Sequence, residues 1–222
     1  MFPLKLVILF LFLMKDLALV DKKEIALIER VSAVFLEKGM KRVTMDDVAK
    51  ELSVSKKTLY KYVKNRKELV MKSTFFHVQR DQLKVKEIQG KNLNPIIENH
   101  ELAKFVIETI SNVSPCVHYD LENYFPESWE LLNGYFRGFV FESLHTNLLR
   151  GQKEGVYRSD FNAEIIAKVF ANKIDMIFDA ELFPTERFNF KDVYLEYLHY
   201  HLRAIVSEES LSMLKKLDFK KL

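Results

Sequence analysis

Apolar residues recur three and four positions apart through most of this chain, the spacing of helices that each bury one face. The first such stretch runs from Asp16 to Lys38, with Ile25, Ile28, Val31, Ser32, Phe35 and Leu36 inward, and Gly39 closes it as a C-terminal cap. Thr44 is a good N-cap, and Asp46 and Asp47 behind it suit the positive end of a helix. Met45, Val48, Ala49 and Leu52 give that helix an apolar face, and the period breaks at Ser53-Val54. Ser55 offers a second cap, Leu59 and Val63 a second buried side, and Asn65 caps a further helix through Leu69, Val70 and Phe75 towards Val85. Two short helices sharing an apolar seam across a tight turn predict a helix-turn-helix.

Beyond it, Gly90 to Pro95 reads as a linker by its turn chemistry. Leu102 to Val113 reads as a helix stopped by Ser114-Pro115. Pro126 opens another, striped by Trp129, Leu132, Phe136, Phe139, Val140, Leu144 and Leu148 towards Arg150. Ala163 to Leu182 and Phe190 to Val206 complete the set, with a lysine-rich tail behind them. No strand alternation, internal repeat or low-complexity tract interrupts the pattern, so the expected fold class is all-α. The expected division is a front domain over residues 15–72 and a rear domain over residues 73–222.

Charge sharpens the division. The net charge is +3 over 222 residues, but residues 15–72 hold 15 Lys and Arg against 9 Asp and Glu, leaving residues 73–222 mildly acidic. From Ser55 to Lys67 there are Lys56, Lys57, Lys61, Lys64, Arg66 and Lys67 with no acid among them, interleaved with Thr58, Tyr60 and Tyr62. A charge run alone is usually a solvated helix face. This one coincides with the element that enters the major groove in a helix-turn-helix, where cations neutralise phosphates and hydroxyls add directional bonds. Double-stranded DNA is the expected partner. The single cysteine, Cys116, cannot close an internal disulfide, which favours a reducing cytoplasm. Leu6 to Met14 is an unbroken apolar run, too short to span a bilayer and followed by no clear cleavage site. The plainest reading makes residues 1–14 an extension ahead of a start at Met14; a signal core and a short packing helix are the alternatives. No membrane partner is expected.

The stretch from Thr44 to Leu69 resembles the DNA-binding domain of TetR-family transcriptional regulators, through Thr44, Val48, Ala49, Val54, Ser55, Thr58, Leu59, Tyr60, Tyr62 and Leu69. It departs from that pattern at Ser53, where the family has a turn glycine, and at Lys57, Val63 and Arg66. Ser53 must therefore accept a left-handed or strained backbone. The resemblance implies a three-helix DNA-binding domain followed by a helical ligand-binding and dimerisation domain, in a homodimeric regulator, most simply a repressor released by a small ligand. It implies DNA contacts from Thr44, Ser55, Lys56, Lys57, Thr58, Tyr60, Lys61, Tyr62 and Arg66. Thr44, Tyr60, Tyr62 and Arg66 would hold phosphates, and Lys56, Lys57 and Thr58 would reach bases.

Fourteen of the eighteen phenylalanines lie beyond residue 72. Such stripes are usually core, but in a ligand-binding domain they suit an apolar or aromatic effector, with Trp129, Tyr135 and Phe139 as candidate lining. No catalytic residues, cofactor or metal site are expected. The glycines are unclustered, His199 and His201 point to different faces of one helix, and Glu98, Glu101 and Glu108 read as solvated. Cys116 reads as a bystander thiol. Two rivals stand against the regulator: an all-helical interaction protein that no longer binds DNA, and a helical small-molecule enzyme, which needs a buried polar cluster.

Overall fold

A computed structural model of the protein describes residues 22–111, 113–179 and 181–217, with the side chains of residues 174 and 175 not among them. The apolar stretch 1–14 and the start of the first helix, residues 16–21, lie outside the described residues. The protein is all-α. In chain order the helices are α1 Lys22–Lys38, α2 Met45–Glu51, α3 Lys56–Leu59, α4 Arg66–Gln89, α5 Pro95–Ile110, α6 Cys116–Tyr124 and α7 Pro126–Gly134. A π-helical segment, Tyr135–Val140, follows directly, then α8 Phe141–Lys153, α9 Ala163–Asn172, α10 Ile174–Ile177, α11 Phe190–Ile205 and α12 Leu211–Lys216. One isolated antiparallel bridge pairs Tyr157 with Val206.

The chain divides into two compact units, and neither is a contiguous stretch. One holds the described residues up to Arg80 together with Cys116–Gly134; the other holds Asp81–Pro115 and the described residues from Tyr135 onward. In the first, Leu27, Ile28, Val31 and Phe35 of α1 are buried, as are Val48 and Ala49 of α2, Leu59 of α3, and Leu69 and Val70 of α4. The inward set read from periodicity holds, with Ile25 and Leu36 only half-buried. Arg30 donates to the Leu52 carbonyl at 2.8 Å, and Lys72 reaches both Glu24 and the Tyr62 carbonyl at 2.7 Å, tying the ends of the motif to α1 and α4.

The second unit is built on Ile96, Ala103 and Ile107 of α5, Leu148 of α8, Ala167 and Phe170 of α9, and Leu195, Leu198 and Leu202 of α11. Here three expectations change. The helix expected from Leu102 begins at Pro95, because the Asn94 side chain accepts from Ile96 N–H at 3.0 Å and proline suits the first helical position. The helix expected to run to Leu182 ends α9 at Asn172. The Asn172 amide donates to the Lys168 carbonyl at 2.8 Å, competing with the ladder, and Asp179 closes a turn by accepting from Glu181 and Leu182 N–H groups.

The third correction is Glu98, which is not solvated but only 3% exposed. Arg150 donates to its carboxylate at 2.6 Å and Asn147 at 2.8 Å. Asn99 donates to Asn147 and to the Tyr157 hydroxyl, each at 2.9 Å, and Asn147 and Asn99 both donate to the Pro95 carbonyl. A buried polar cluster is therefore present, but its carboxylate is saturated by neighbours from α8, which makes it a brace between α5 and α8. The Tyr157 ring lies so close over Gly151 that a Cβ there would fall 2.0 Å from a ring carbon.

Candidate nucleic-acid interface

The helix-turn-helix begins at a complete capping box. Thr44 Oγ1 accepts from Asp47 N–H at 3.2 Å, Asp47 Oδ2 accepts from Thr44 N–H at 2.9 Å, and the Thr44 hydroxyl donates to the same carboxylate at 2.7 Å. That hydroxyl holds the Asp47 carboxyl below its ordinary range. The turn then passes through Ser53 at φ +54°, the left-handed conformation expected of the residue that stands where glycine is usual. Val54 N–H closes back on the Ala49 carbonyl at 2.9 Å.

Helix α3 is a single turn capped by Ser55, whose Oγ accepts from Thr58 N–H at 3.1 Å and shares a 2.9 Å hydrogen bond with the Thr58 hydroxyl. Leu59 and Val63 are buried beneath it. Outward, Lys56, Lys57, Tyr60, Lys61, Lys64 and Lys67 are all exposed, and Thr58 and Tyr62 half-buried. Lys56 pairs with Asp46 at 2.6 Å, an exposed ion pair worth no more than about 1 kcal/mol and easily given up to a phosphate. Asn65 caps α4 by accepting from Glu68 N–H at 3.0 Å, while Glu68 accepts from Lys64 N–H at 2.7 Å.

Arg66 behaves differently from the other cations. Its Nη2 donates to the carbonyls of Met40 and Lys41, the latter at 2.6 Å, and its guanidinium stands 5.4 Å from the centre of the Phe125 ring. The guanidinium is thus turned onto its own chain. Eight of the nine expected DNA-contact residues, Thr44 through Tyr62, lie together on one short segment; Arg66 sits at its edge, engaged with the turn after α1. Sequence reasoning missed two further residues at this place: Asp120, whose carboxylate accepts from Met40 and Lys41 N–H groups, and Tyr124, whose hydroxyl accepts from Lys41 at 2.6 Å. They lie about eighty positions away in sequence, where periodicity carries no signal.

The expected ligand residues fall in both units. Tyr135 and Phe139 stack in the π-helical segment of the second unit, 5.7 Å apart, and Phe136 lies 5.3 Å from Tyr135. Lys86 reaches the Phe139 face at 5.8 Å, and burial pushes the Tyr135 phenol well above its ordinary value. Trp129 belongs to the first unit and meets His118 edge to face at 4.6 Å. His201 is tilted against Phe170, ring centres 4.4 Å apart, and burial lowers its pKa to about 4; His199 bonds Arg203 instead, on another face. Among the described residues no group of three or more His, Cys, Asp or Glu is arranged to hold a metal ion, and no helix is long and apolar enough to cross a membrane.

Residues 27–71 match the sequence model of the bacterial regulatory proteins of the tetR family. No curated protein sequence matches the chain. Several solved structures share its fold. Escherichia coli NemR in its reduced form has a TM-score of 0.68 at 13% identity, over 84% of this chain and 98% of its own. A transcriptional regulator from Saccharomonospora viridis in complex with choline gives 0.68 at 16% identity, over 84% and 99%. SmeT, the repressor of the Stenotrophomonas maltophilia multidrug efflux pump SmeDEF, gives 0.57 at 15% identity, over 85% and 92%.

Proposed function

We propose that this chain, whose residues 27–71 match the tetR family of bacterial regulatory proteins, is a DNA-binding transcriptional regulator of that kind, a cytoplasmic homodimeric repressor released from its operator by a small apolar or aromatic molecule. The observation that carries the DNA reading is the exposed cationic side of α3 on a helix-turn-helix whose caps are all satisfied. Lys57 and Lys61 are exposed and take no ion-pair partner among the described residues, so no internal bond must be broken before they meet phosphate or base. Lys56, Lys57 and Thr58 lie at the N-terminal turn of α3, the part that reaches base edges in this motif. Thr44, Ser55, Tyr60, Lys61 and Tyr62 are assigned to the flanking backbone. Arg66 is assigned first to the turn it holds and only then to a phosphate.

A single short helix covers few base pairs, so useful specificity requires two half-sites about 34 Å apart and a two-fold dimer to read them. The proposed dimer face is formed by α9 and α11, where Ile165, Val169 and Tyr200 are 59, 51 and 76% exposed although they are large and apolar. For the effector, the stacked pair Tyr135 and Phe139 supports a planar or apolar molecule. Fold-mates that carry choline or govern a multidrug pump fit an effector of modest size. Catalysis is not part of the reading.

The test is selection of bound fragments from the source genome, followed by salt titration of the recovered duplex. A recovered two-fold sequence whose affinity falls steeply with salt supports the reading. Negligible, salt-insensitive affinity for every duplex defeats it and leaves the helical interaction protein in its place.

A further inference from the structure

The turn between α1 and the helix-turn-helix is held from both sides by residues outside the DNA-reading segment. Met40 and Lys41 N–H groups donate to one oxygen, Asp120 Oδ2, at 2.9 and 2.8 Å. The carbonyls of the same two residues accept from Arg66 Nη2. Two consecutive residues therefore have their backbone donors satisfied by α6 and their acceptors by α4. Asp120 is buried, and one helical turn further on Tyr124 accepts from the Lys41 ammonium, which also lies 4.0 Å from the centre of its ring. Gly39 lets the turn seat flush on α6: at φ +87° it takes a conformation unfavourable to other residues, and a Cβ there would fall 2.6 Å from Cys116 Sγ.

This arrangement has a mechanical consequence. Residues 39–43 are all that lies between α1 and the Thr44 cap, so freedom in the turn tilts α2 and α3 together relative to α1. A carboxylate accepting two N–H groups makes charge-assisted bonds, stronger than neutral ones, and its loss leaves one buried and one part-buried donor unpaired. We propose that Asp120, with Arg66 opposite, is a positioning residue for DNA binding: the two clamp the Met40–Lys41 turn and so fix the orientation in which the helix-turn-helix meets the duplex. This rests on the reading of the chain as a DNA-binding regulator, and it extends the DNA-binding apparatus to a helix well beyond the family-matched residues 27–71.

Simple electrostatics and positioning give opposite signs. Removing an acid near a DNA-binding surface should tighten binding to a polyanion; loosening the clamp should weaken it. The experiment uses full-length protein, the duplex recovered by selection and a random duplex, with anisotropy read at a temperature where circular dichroism shows each variant folded. Asp120→Asn, which keeps the shape and loses the charge, is expected to weaken both duplexes alike, on the order of tenfold, with the salt slope unchanged, because a smaller fraction of molecules holds the competent orientation. Tyr157→Phe, which removes a buried hydroxyl in the other unit, serves as the stability control and should leave affinity unaltered. If Asp120→Asn binds as tightly as wild type or more tightly, or no more weakly than an equally destabilised Tyr157→Phe, the clamp is overturned while the DNA reading stands. Should Asp120→Asn not fold, Asp120→Glu, which keeps the charge but displaces the turn by a methylene, carries the same expectation. Failure of both to fold would make Asp120 a residue of the fold alone and also overturn the proposal. A wild type with no salt-dependent binding to either duplex fails the DNA reading itself.

Discussion

At the scale of single residues, the cations near α3 separate by what already occupies them. Lys56 is paired with Asp46, Arg66 holds two carbonyls, and Lys57 is exposed at the N-terminal turn of the helix. Lys57 is also one of the positions where the sequence departs from the pattern it resembles, and under the proposed function its contact would set what is particular to this operator. Lys57→Ala should weaken the selected duplex more than random DNA, by roughly 1–3 kcal/mol at one position per half-site if the lysine meets a guanine edge. Equal losses on both duplexes would reassign Lys57 to the phosphate backbone. Residue identity made much of this legible. Ser53 announces its left-handed backbone by standing where glycine belongs, and Thr44 announces its capping box with Asp47 three positions on. Arg66 has a type and position that suit a phosphate, while the partners its guanidinium takes in this structure lie in a turn twenty-five positions earlier.

Elements were legible where their stabilising contacts are local and obscure where they are not. Helices α1 to α4 follow from caps and a 3.6-residue apolar period. The periodicity of the long stripe after Pro126 predicts one helix, yet the winding changes to π at Tyr135–Val140, a change that leaves apolar density untouched and so carries no periodic signal. Glu98 looked solvated because its partners Asn147 and Arg150 lie about fifty residues away. The contact between α9 and α11 carries a testable charge effect. His201 of α11 is packed on Phe170 of α9, and burial lowers its pKa from an ordinary 6.5 to about 4. Above pH 6.5 the ring is neutral in both folded and unfolded chains, so the packing is fully stabilising. As pH falls from about 6.5 to about 4, the unfolded chain takes up a proton that the fold resists, and stability declines by roughly 1–3 kcal/mol. His77, lowered to about 4 by burial and by the Arg80 charge, acts in the same direction. Urea midpoints at pH 7 and pH 5 should therefore fall for the wild type and fall less for His201→Gln; parallel losses would remove His201 from the account.

At the scale of the whole molecule, the proposed function depends on assembly and on a ligand that distinguishes two states. The apolar side chains left open on α9 and α11 make Val169→Glu the direct probe of assembly. Light scattering at micromolar concentration should give twice the chain mass for wild type and a monomer for the variant, with affinity for a two-half-site duplex lost alongside; a wild-type monomer would refute the dimer. The switch follows from thermodynamics and needs no assumed pathway. A small molecule lowers operator affinity only if it binds the DNA-released state better than the DNA-bound one. The coupling is then reciprocal: whatever factor the molecule takes from DNA affinity, operator duplex must take from the affinity for the molecule. With a coupling of about 1–3 kcal/mol, that factor is roughly 5 to 150. Titrating a planar aromatic ligand into the protein, with and without saturating operator, should give two dissociation constants in that ratio, and Tyr135→Ala should weaken both while leaving DNA affinity in the absence of ligand unchanged. A ligand that binds with equal strength in both titrations is a passenger rather than an inducer. If no bound molecule of this class shows a ratio different from one, the protein regulates without an apolar or aromatic effector, and the aromatic stack at Tyr135 and Phe139 is core.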